Sequence, residues 1–511
     1  MTMQLRNNKI LNHTMFEAFL TRMKRNLKFL FIAAVLVVQF GCSGSWLELL
    51  PPSGLTREEF WQSKEDVEAV LMGAYSSFST MDNLMFIHGE ARGDMVTDDI
   101  STDGNIRNMM NGNIYSDNWL ANWENFYKVI NYCNEIINNA PDVQKIDKTF
   151  TNYQLQGFIS EAYYLRSLAY FYLVRIFKDV PYITLPSETD DTDFYVAKTD
   201  GDSILIGISN DLLEARKYLS DNYLSLLEIK GRASKEACEA LLADIALWRF
   251  DYQAVVDHVS NIEASDKIEL MPGARWFEIY YPGNSLESIF EFQFDYRQNQ
   301  RNNLYGLTEI NARNFDPSST AVQKFARKYA NEPFRGEDIS IRKNSDTDYS
   351  IWKYVGLAPD GSTTRPFTIQ YSANWIVYRY ADVLLMKAEA LSQLGRFDEA
   401  LNYINEIRER AGVPLLAIAN SADAFEDVIL EERALELAFE GKRWFDLVRM
   451  GRRNNFARKD QLIESIIRNV PSTQKRILGS KLTNPLGWYM PIYKNELERN
   501  LNLEQNPYYN K

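Results

Sequence analysis

The chain has 511 residues, 45% of them hydrophobic and 13% aromatic, with a formal net charge of −13. That length supports a large core or two fused lobes, and the acidic balance argues against nucleic-acid binding, which needs clustered Lys and Arg on phosphates. Three cysteines and three histidines exclude a disulfide framework and disfavour zinc chemistry and histidine triads.

The chain opens with an export signal. Met23 to Lys28 is basic, and Phe29 to Val38 is an unbroken apolar run of signal-peptide length, too short to cross a bilayer. It ends at Gln39-Phe40-Gly41-Cys42, which resembles a lipobox apart from Gln39 and Phe40, so Cys42 is the expected lipidation site and membrane anchor. One acyl chain alone binds a membrane only marginally, so stable anchoring needs further chains. Residues 1–22 precede a better start at Met23, and residues 1–41 are read as an upstream extension plus a removed signal peptide. They carry six basic residues and one acid, so the chain without them is at −18. Residues 42–55 form a tether, 56–230 an N-terminal half and 231–511 a C-terminal half. No later apolar stretch approaches membrane-spanning length.

The next elements read as helices. Trp119 to Asn139 places Leu120, Trp123, Phe126, Ile130 and Cys133 at three- and four-residue steps. Gln156 to Phe177 repeats the pattern, and Pro181 is expected to end it. Glu236 to Ile262 and Ala381 to Arg410 look like tetratricopeptide-type helix pairs, the second with Gly395 at its turn and small Ala388 and Ala400 between its helices. Cys133 and Cys238 could pair, but both fall in helical patterns where a small buried hydrophobe is the better reading.

Residues 273–370 differ. They are rich in Asn, Gly, Ser, Asp and aromatics, with one strand-like run at Ser288–Phe294, and read as long ordered loops. Binding residues usually sit on such loops. Trp276, Tyr280 and Tyr281 read as packing near the strand. The acidic run Asp94 to Asp99 with Asp103 could hold a structural calcium, but it lacks EF-hand spacing and a capping loop is the better reading, so no cofactor is expected.

Asp427 to Met450 (DVILEERALELAFEGKRWFDLVRM) has an apolar stripe interleaved with charges. Arg433/Glu436, Glu440/Arg443 and Asp446/Arg449 lie one turn apart and are expected to neutralise one another. Glu436 and Glu440 could suggest a glycosidase pair, but that chemistry needs two carboxyls facing across a cleft, and a structural ion-pair network is expected instead. Gly441 should allow a turn or close packing.

This segment, Arg379 to Leu385 (RYADVLL) with Ala388-Glu389-Ala390, and the tail Asn484 to Tyr509 together resemble the signature segments of the SusD/RagB family of outer-membrane nutrient-binding lipoproteins. Trp46 to Glu48, Phe60-Trp61, Val67, Val70 and Gly73-Ala74-Tyr75 are similar to the usual opening. Trp119, Tyr127, Ile130 and Asn134 match the helix after the first variable loop. Departures are Asp382 in a glutamate position and Tyr493, Leu501 and Tyr508 in the tail. The resemblance implies a mainly α, SusD-like fold: a scaffold lobe of tetratricopeptide-type helix pairs, a loop-rich second lobe and a few short strands.

It further implies a non-catalytic binding protein at the outer membrane, lipid-anchored and exposed at the cell surface, partnered by a SusC-type TonB-dependent transporter. Glycan is the favoured ligand, because sugar C–H faces stack on aromatic planes while Asn, Asp and Arg take hydroxyls. Peptide cargo, as in the RagB branch, is the alternative; an extracytoplasmic hydrolase or a pure protein scaffold fits less well. The expected ligand residues are Asp103, Asn105, Arg107, Asn108 and Tyr115 in a first loop, Tyr296, Arg297, Asn299 and Tyr305 after the strand, and Trp352 in a third loop.

Overall fold

The computed structural model describes residues 57–187, 195–220, 223–308, 313–328, 332–356, 366–417 and 421–510. The leader, Cys42 and the tether lie outside them. Residues 57–61 belong to a separate N-terminal unit, and the rest form one compact unit beginning at Gln62.

Helices dominate, each started by its own side chains. The first, α1 (Lys64–Ser79), opens on a capping box between Ser63 and Asp66. It packs against α4 (Glu124–Ile146) and α5 (Asn152–Phe177), the latter opened by a Thr151/Gln154 box. Between them lie α2 (Asp82–Glu90) and α3 (Gly104–Met110). Then follow α6 (Gly201–Ala215), α7 (Lys235–Trp248) and α8 (Tyr252–Glu263), capped by Asp200, Ser234 and Asp251. The expected pairs are present as α7 with α8, and as α9 (Tyr380–Gln393) with α10 (Phe397–Arg410), and α8 also packs on α9. Gly395 turns the second pair at φ 76°. No helix among the described residues is long and apolar enough to cross a membrane.

One helix boundary differs from the sequence expectation. The expected helix from Trp119 is a short 3-10 turn, Trp119–Ala121, and α4 starts only at Glu124, because Asn118 and Asn122 side chains accept from Leu120 and Glu124 backbone N–H groups and break the run. Helix α5 ends where expected but for another reason: Lys178 turns left-handed at φ 73°, and Val180–Pro181 form a short ladder with Lys198–Thr199.

Short antiparallel ladders fill the loop-rich part. β1 (Val96–Asp98) pairs with β3 (Phe315–Pro317), β2 (Ser288–Phe292) with β6 (Trp375–Arg379), and β4 (Ile341–Lys343) with β5 (Tyr349–Ile351). β3 packs beside β5. β2 and β6 are buried along their length.

The core is aromatic. Phe78 lies 5.1 Å from Phe292 and 6.3 Å from Phe126, and Phe126 stacks on Tyr172. Tyr172 and Trp248 both meet Phe445 edge-on. Phe445 lies on α12 (Arg443–Phe456), which follows α11 (Ala422–Glu436) after a tight turn. Cys133 and Cys238 are buried free thiols, as small hydrophobes would be.

The turn between α11 and α12 is closely packed against α2. Gly441 has φ 71°, and a Cβ on Gly89 would lie 1.9 Å from its carbonyl oxygen. Around this turn the signature charges pair across the fold. Arg379 reaches Glu287 at 2.6 Å, Glu436 at 2.7 Å and Glu440 at 2.8 Å. Arg335 meets Glu432 and Glu332, Lys353 meets Glu440, and Arg410 bridges Glu287 and Glu436. Of the three expected one-turn pairs only Asp446–Arg449 forms. Arg433 turns to Asp382 and Asp446, and Arg443 to Asp94, because burial rewards a partner that closes a gap between elements over a neighbour along the helix.

Candidate functional site

Glu436 and Glu440 are the ion-pair network that the sequence suggests. Burial alone would raise their pKa values, but Arg410, Arg379 and Arg335 outweigh it at Glu436, and Arg379 and Lys353 outweigh it at Glu440. Both are held below the ordinary carboxylate range, so neither can act as a general acid near neutral pH.

The two loops expected to bind ligand meet at the surface. In the first, the Asp103 carboxylate caps α3, accepting from Asn105 N at 2.8 Å and Ile106 N at 3.3 Å, and also from the Trp119 indole Nε1 at 3.2 Å. Burial is the largest single influence and pushes the Asp103 pKa up, but the Trp119, Asn105 and Ile106 donors together outweigh it and lower the pKa. Trp119, 38% exposed, is thereby held against the loop, with Tyr115 exposed nearby in the chain. Arg107 donates to Asp98 at 2.8 Å and to the Asp99 carbonyl, and Asn118 Nδ2 donates to the Asn105 carbonyl. Asn105 and Asn108 are half-buried, and the Asn108 carbonyl accepts from Asn113 N. The acidic run is therefore committed to cap and ion-pair duties: Asp94 to Arg443, Asp98 to Arg107, Asp103 to α3.

The second loop carries a tyrosine cluster. Tyr296 stacks on Tyr371 at 5.7 Å between centroids, Tyr305 lies 4.3 Å from Tyr371, and the Arg301 guanidinium sits 4.5 Å above Tyr296. All three rings are half-buried, and Arg297, Asn299 and Arg301 beside them are exposed. Asn299 turns left-handed at φ 60°, which closes the short turn after Tyr296. Buried Asn302 builds the cluster: its Nδ2 donates to the Gln370 and Ala373 carbonyls, its N–H to the Tyr371 carbonyl, and its Oδ1 accepts from Tyr305 N. Asp82 on α2 accepts from Asn303 N, Asn303 Nδ2 and Leu304 N, fixing the same loop from below.

Asn314 joins the two loops. Its Oδ1 accepts from Asp103 N at 3.2 Å, its carbonyl accepts from Thr102 Oγ1 at 2.6 Å, and its Nδ2 donates to the Gly306 carbonyl next to Tyr305. Trp352 does not join them. It is 3% exposed, with Arg342 stacked on its ring at 4.4 Å, and it faces a different cavity. Sequence reading missed Tyr371, Arg301, Trp119 and Asn314. Tyr371 lies one residue past the end assigned to the loop-rich insert, and Trp119 was assigned to a helix.

Comparison with known proteins fits this architecture. Two family models match: the SusD family over residues 287–509, and "Starch-binding associating with outer membrane" over residues 45–247. SusD-like protein P38 of Formosa agariphila is 28% identical over 477 residues, covering 83% of this chain and 91% of its own. A SusD superfamily protein of Bacteroides vulgatus superposes with a TM-score of 0.74 at 20% identity, covering 88% of this chain and all of its own. A structure described as a laminarin-binding SusD-like protein superposes with a TM-score of 0.70 at 22% identity, covering 87% of this chain and 99% of its own. The chain is a member of the SusD/RagB family.

Proposed function

We propose that the protein captures glycans at the outer membrane, without chemistry on them, and hands them to a SusC-type TonB-dependent transporter. The single observation that carries the binding reading is the cluster of Tyr296, Tyr305, Tyr371 and Arg301, set beside the Trp119–Asp103 loop and locked to it through Asn314. Aromatic planes take the C–H faces of a sugar, and the exposed Arg297, Asn299 and Asp103 beside them take its hydroxyls. The family description as starch-binding and the laminarin-binding neighbour support the same class of ligand. The leader and Cys42 support a lipid anchor, and the partner transporter follows from the family.

Calorimetric titration of the chain from Ser43 onward against laminarin, a broad polysaccharide panel and a peptide digest tests this. Saturable binding to one glycan, weakened about tenfold or more by Tyr305→Ala or Tyr371→Ala, supports the reading. Binding to peptides alone overturns it in favour of RagB-like cargo. Co-purification of the lipidated chain with a TonB-dependent barrel from solubilised outer membranes tests the transporter step, and its absence at native expression would refute that step alone.

A further inference from the structure

A second concave site lies away from the tyrosine cluster and shares none of its residues. It is a cavity of about 560 Å³ between the 3-10 turn Gly273–Ile279, the segment 333–342 and Trp352. That volume falls within the range of small-ligand sites. Its floor is Trp276, Phe277 and Trp352, with Phe334 half-buried at the wall. The packing that shapes it is close. A Cβ on Gly273 would lie 2.5 Å from the Phe334 ring, and one on Gly356 would lie 2.1 Å from the Trp352 indole nitrogen. The walls are thus preformed.

Two polar groups of this cavity, Arg342 and Asp338, are left over by the fold. Trp276 is packed beneath them, its Nε1 fully buried and its ring crowded by Arg379, Arg410 and Lys353. Arg342 is held by stacking on Trp352 and pairs with no carboxylate among the described residues. Asp338 is exposed at the rim, fixed by a left-handed backbone at φ 65° and by its N–H donating to the Ile341 carbonyl at 2.7 Å, and its carboxylate has no partner among the described residues.

We infer that this cavity is a second carbohydrate site, binding one or two sugar units independently of the tyrosine cluster. The donor–acceptor set selects the class. A sugar hydroxyl both donates and accepts, which suits an arginine and a carboxylate together, while ring C–H groups meet the half-buried Phe334. A purely anionic ligand would be repelled by Asp338, and a purely cationic one by Arg342. The choice of sugar shares its chemical class with the proposed function, but the site stands on its own residues.

The test uses the full unit labelled with 5-fluorotryptophan, followed by fluorine NMR, with resonances assigned by single Trp→Phe variants. The probes are methyl glucoside, galactoside, mannoside and xyloside, with amino-acid amides as the competing class. The Trp276 and Trp352 resonances should shift saturably with at least one glycoside, and Arg342→Ala and Asp338→Asn should each weaken that binding at least fivefold. Tyr305→Ala should leave these shifts intact, which separates this site from the tyrosine cluster. No shift with any glycoside, shifts only with the amides, or shifts abolished by Tyr305→Ala would each overturn the inference. Loss of polysaccharide binding in Tyr305→Ala with these shifts retained would uphold both sites.

Discussion

At the scale of single residues, the buried acids divide into two kinds. Glu436 is surrounded by guanidinium groups and Asp94 is paired with Arg443 near Lys324, and both are held low against the cost of burial. Glu90 is buried, accepting from the Gly441 and Lys442 backbone N–H groups, and its Oε2 has no protein partner. Burial outweighs those donors and the nearby Arg443 and raises its pKa to about 8. The folded protein therefore holds this proton more tightly than the unfolded chain, so the group costs stability progressively from about pH 4.5 to about 8 and no further above it. Glu90→Gln mimics the protonated form. Its melting temperature should fall less than that of the parent between pH 5.5 and pH 9, and equal falls would refute the assignment. Asp94→Ala should act in the opposite sense, stranding buried Arg443 and lowering stability by roughly 3–5 kcal/mol in urea titrations at pH 7.

At the scale of elements, the periodicity of α5, α9 and α10 was legible because each buries a continuous face, and its spacing shows directly in the chain. The start of α4 was not legible, because two asparagine side chains break a pattern whose apolar spacing runs on without interruption. The same limit hid the pairing of Arg433 and Arg443. Neighbours one turn apart are visible in sequence, whereas Asp94, 349 residues from Arg443, is not. The α11–α12 turn shows what such distant contacts demand. Gly89 on α2 sits where any side chain would strike the Gly441 carbonyl, so Gly89→Ala should destabilise the protein by several kcal/mol or abolish soluble expression. A melting temperature within a few degrees of the parent would show that α2 can move aside.

At the scale of the whole molecule, the helices form the body and the loops are hung from it by asparagine and aspartate side chains. Asn302, Asn314 and Asp82 together fix two loops into one surface, the Asp103–Asn314 contact spanning 211 residues of sequence. The core beneath is closed to solvent. Cys133 and Cys238 lie in α4 and α7 at 0% exposure, and burial pushes the Cys133 thiol up to about 12 and raises that of Cys238. Neither should react with a thiol reagent in the native protein at pH 8. Both should become reactive together along the urea transition, whereas early reaction of one would reveal local opening of its helix.

The amino-acid sequence by itself determined the helical class, the paired helices and the family signature, because each is written in local spacing or in short contiguous strings. It also pointed to Tyr296 and Tyr305 through loop composition. Only the tertiary structure decided that Tyr371 completes their cluster, that Trp119 joins the Asp103 loop, and that Trp352 is packed under Arg342 in another cavity. Those outcomes depend on which distant groups satisfy one another once buried, and a hydrogen bond or stacked pair between separate loops leaves no periodic trace in the chain.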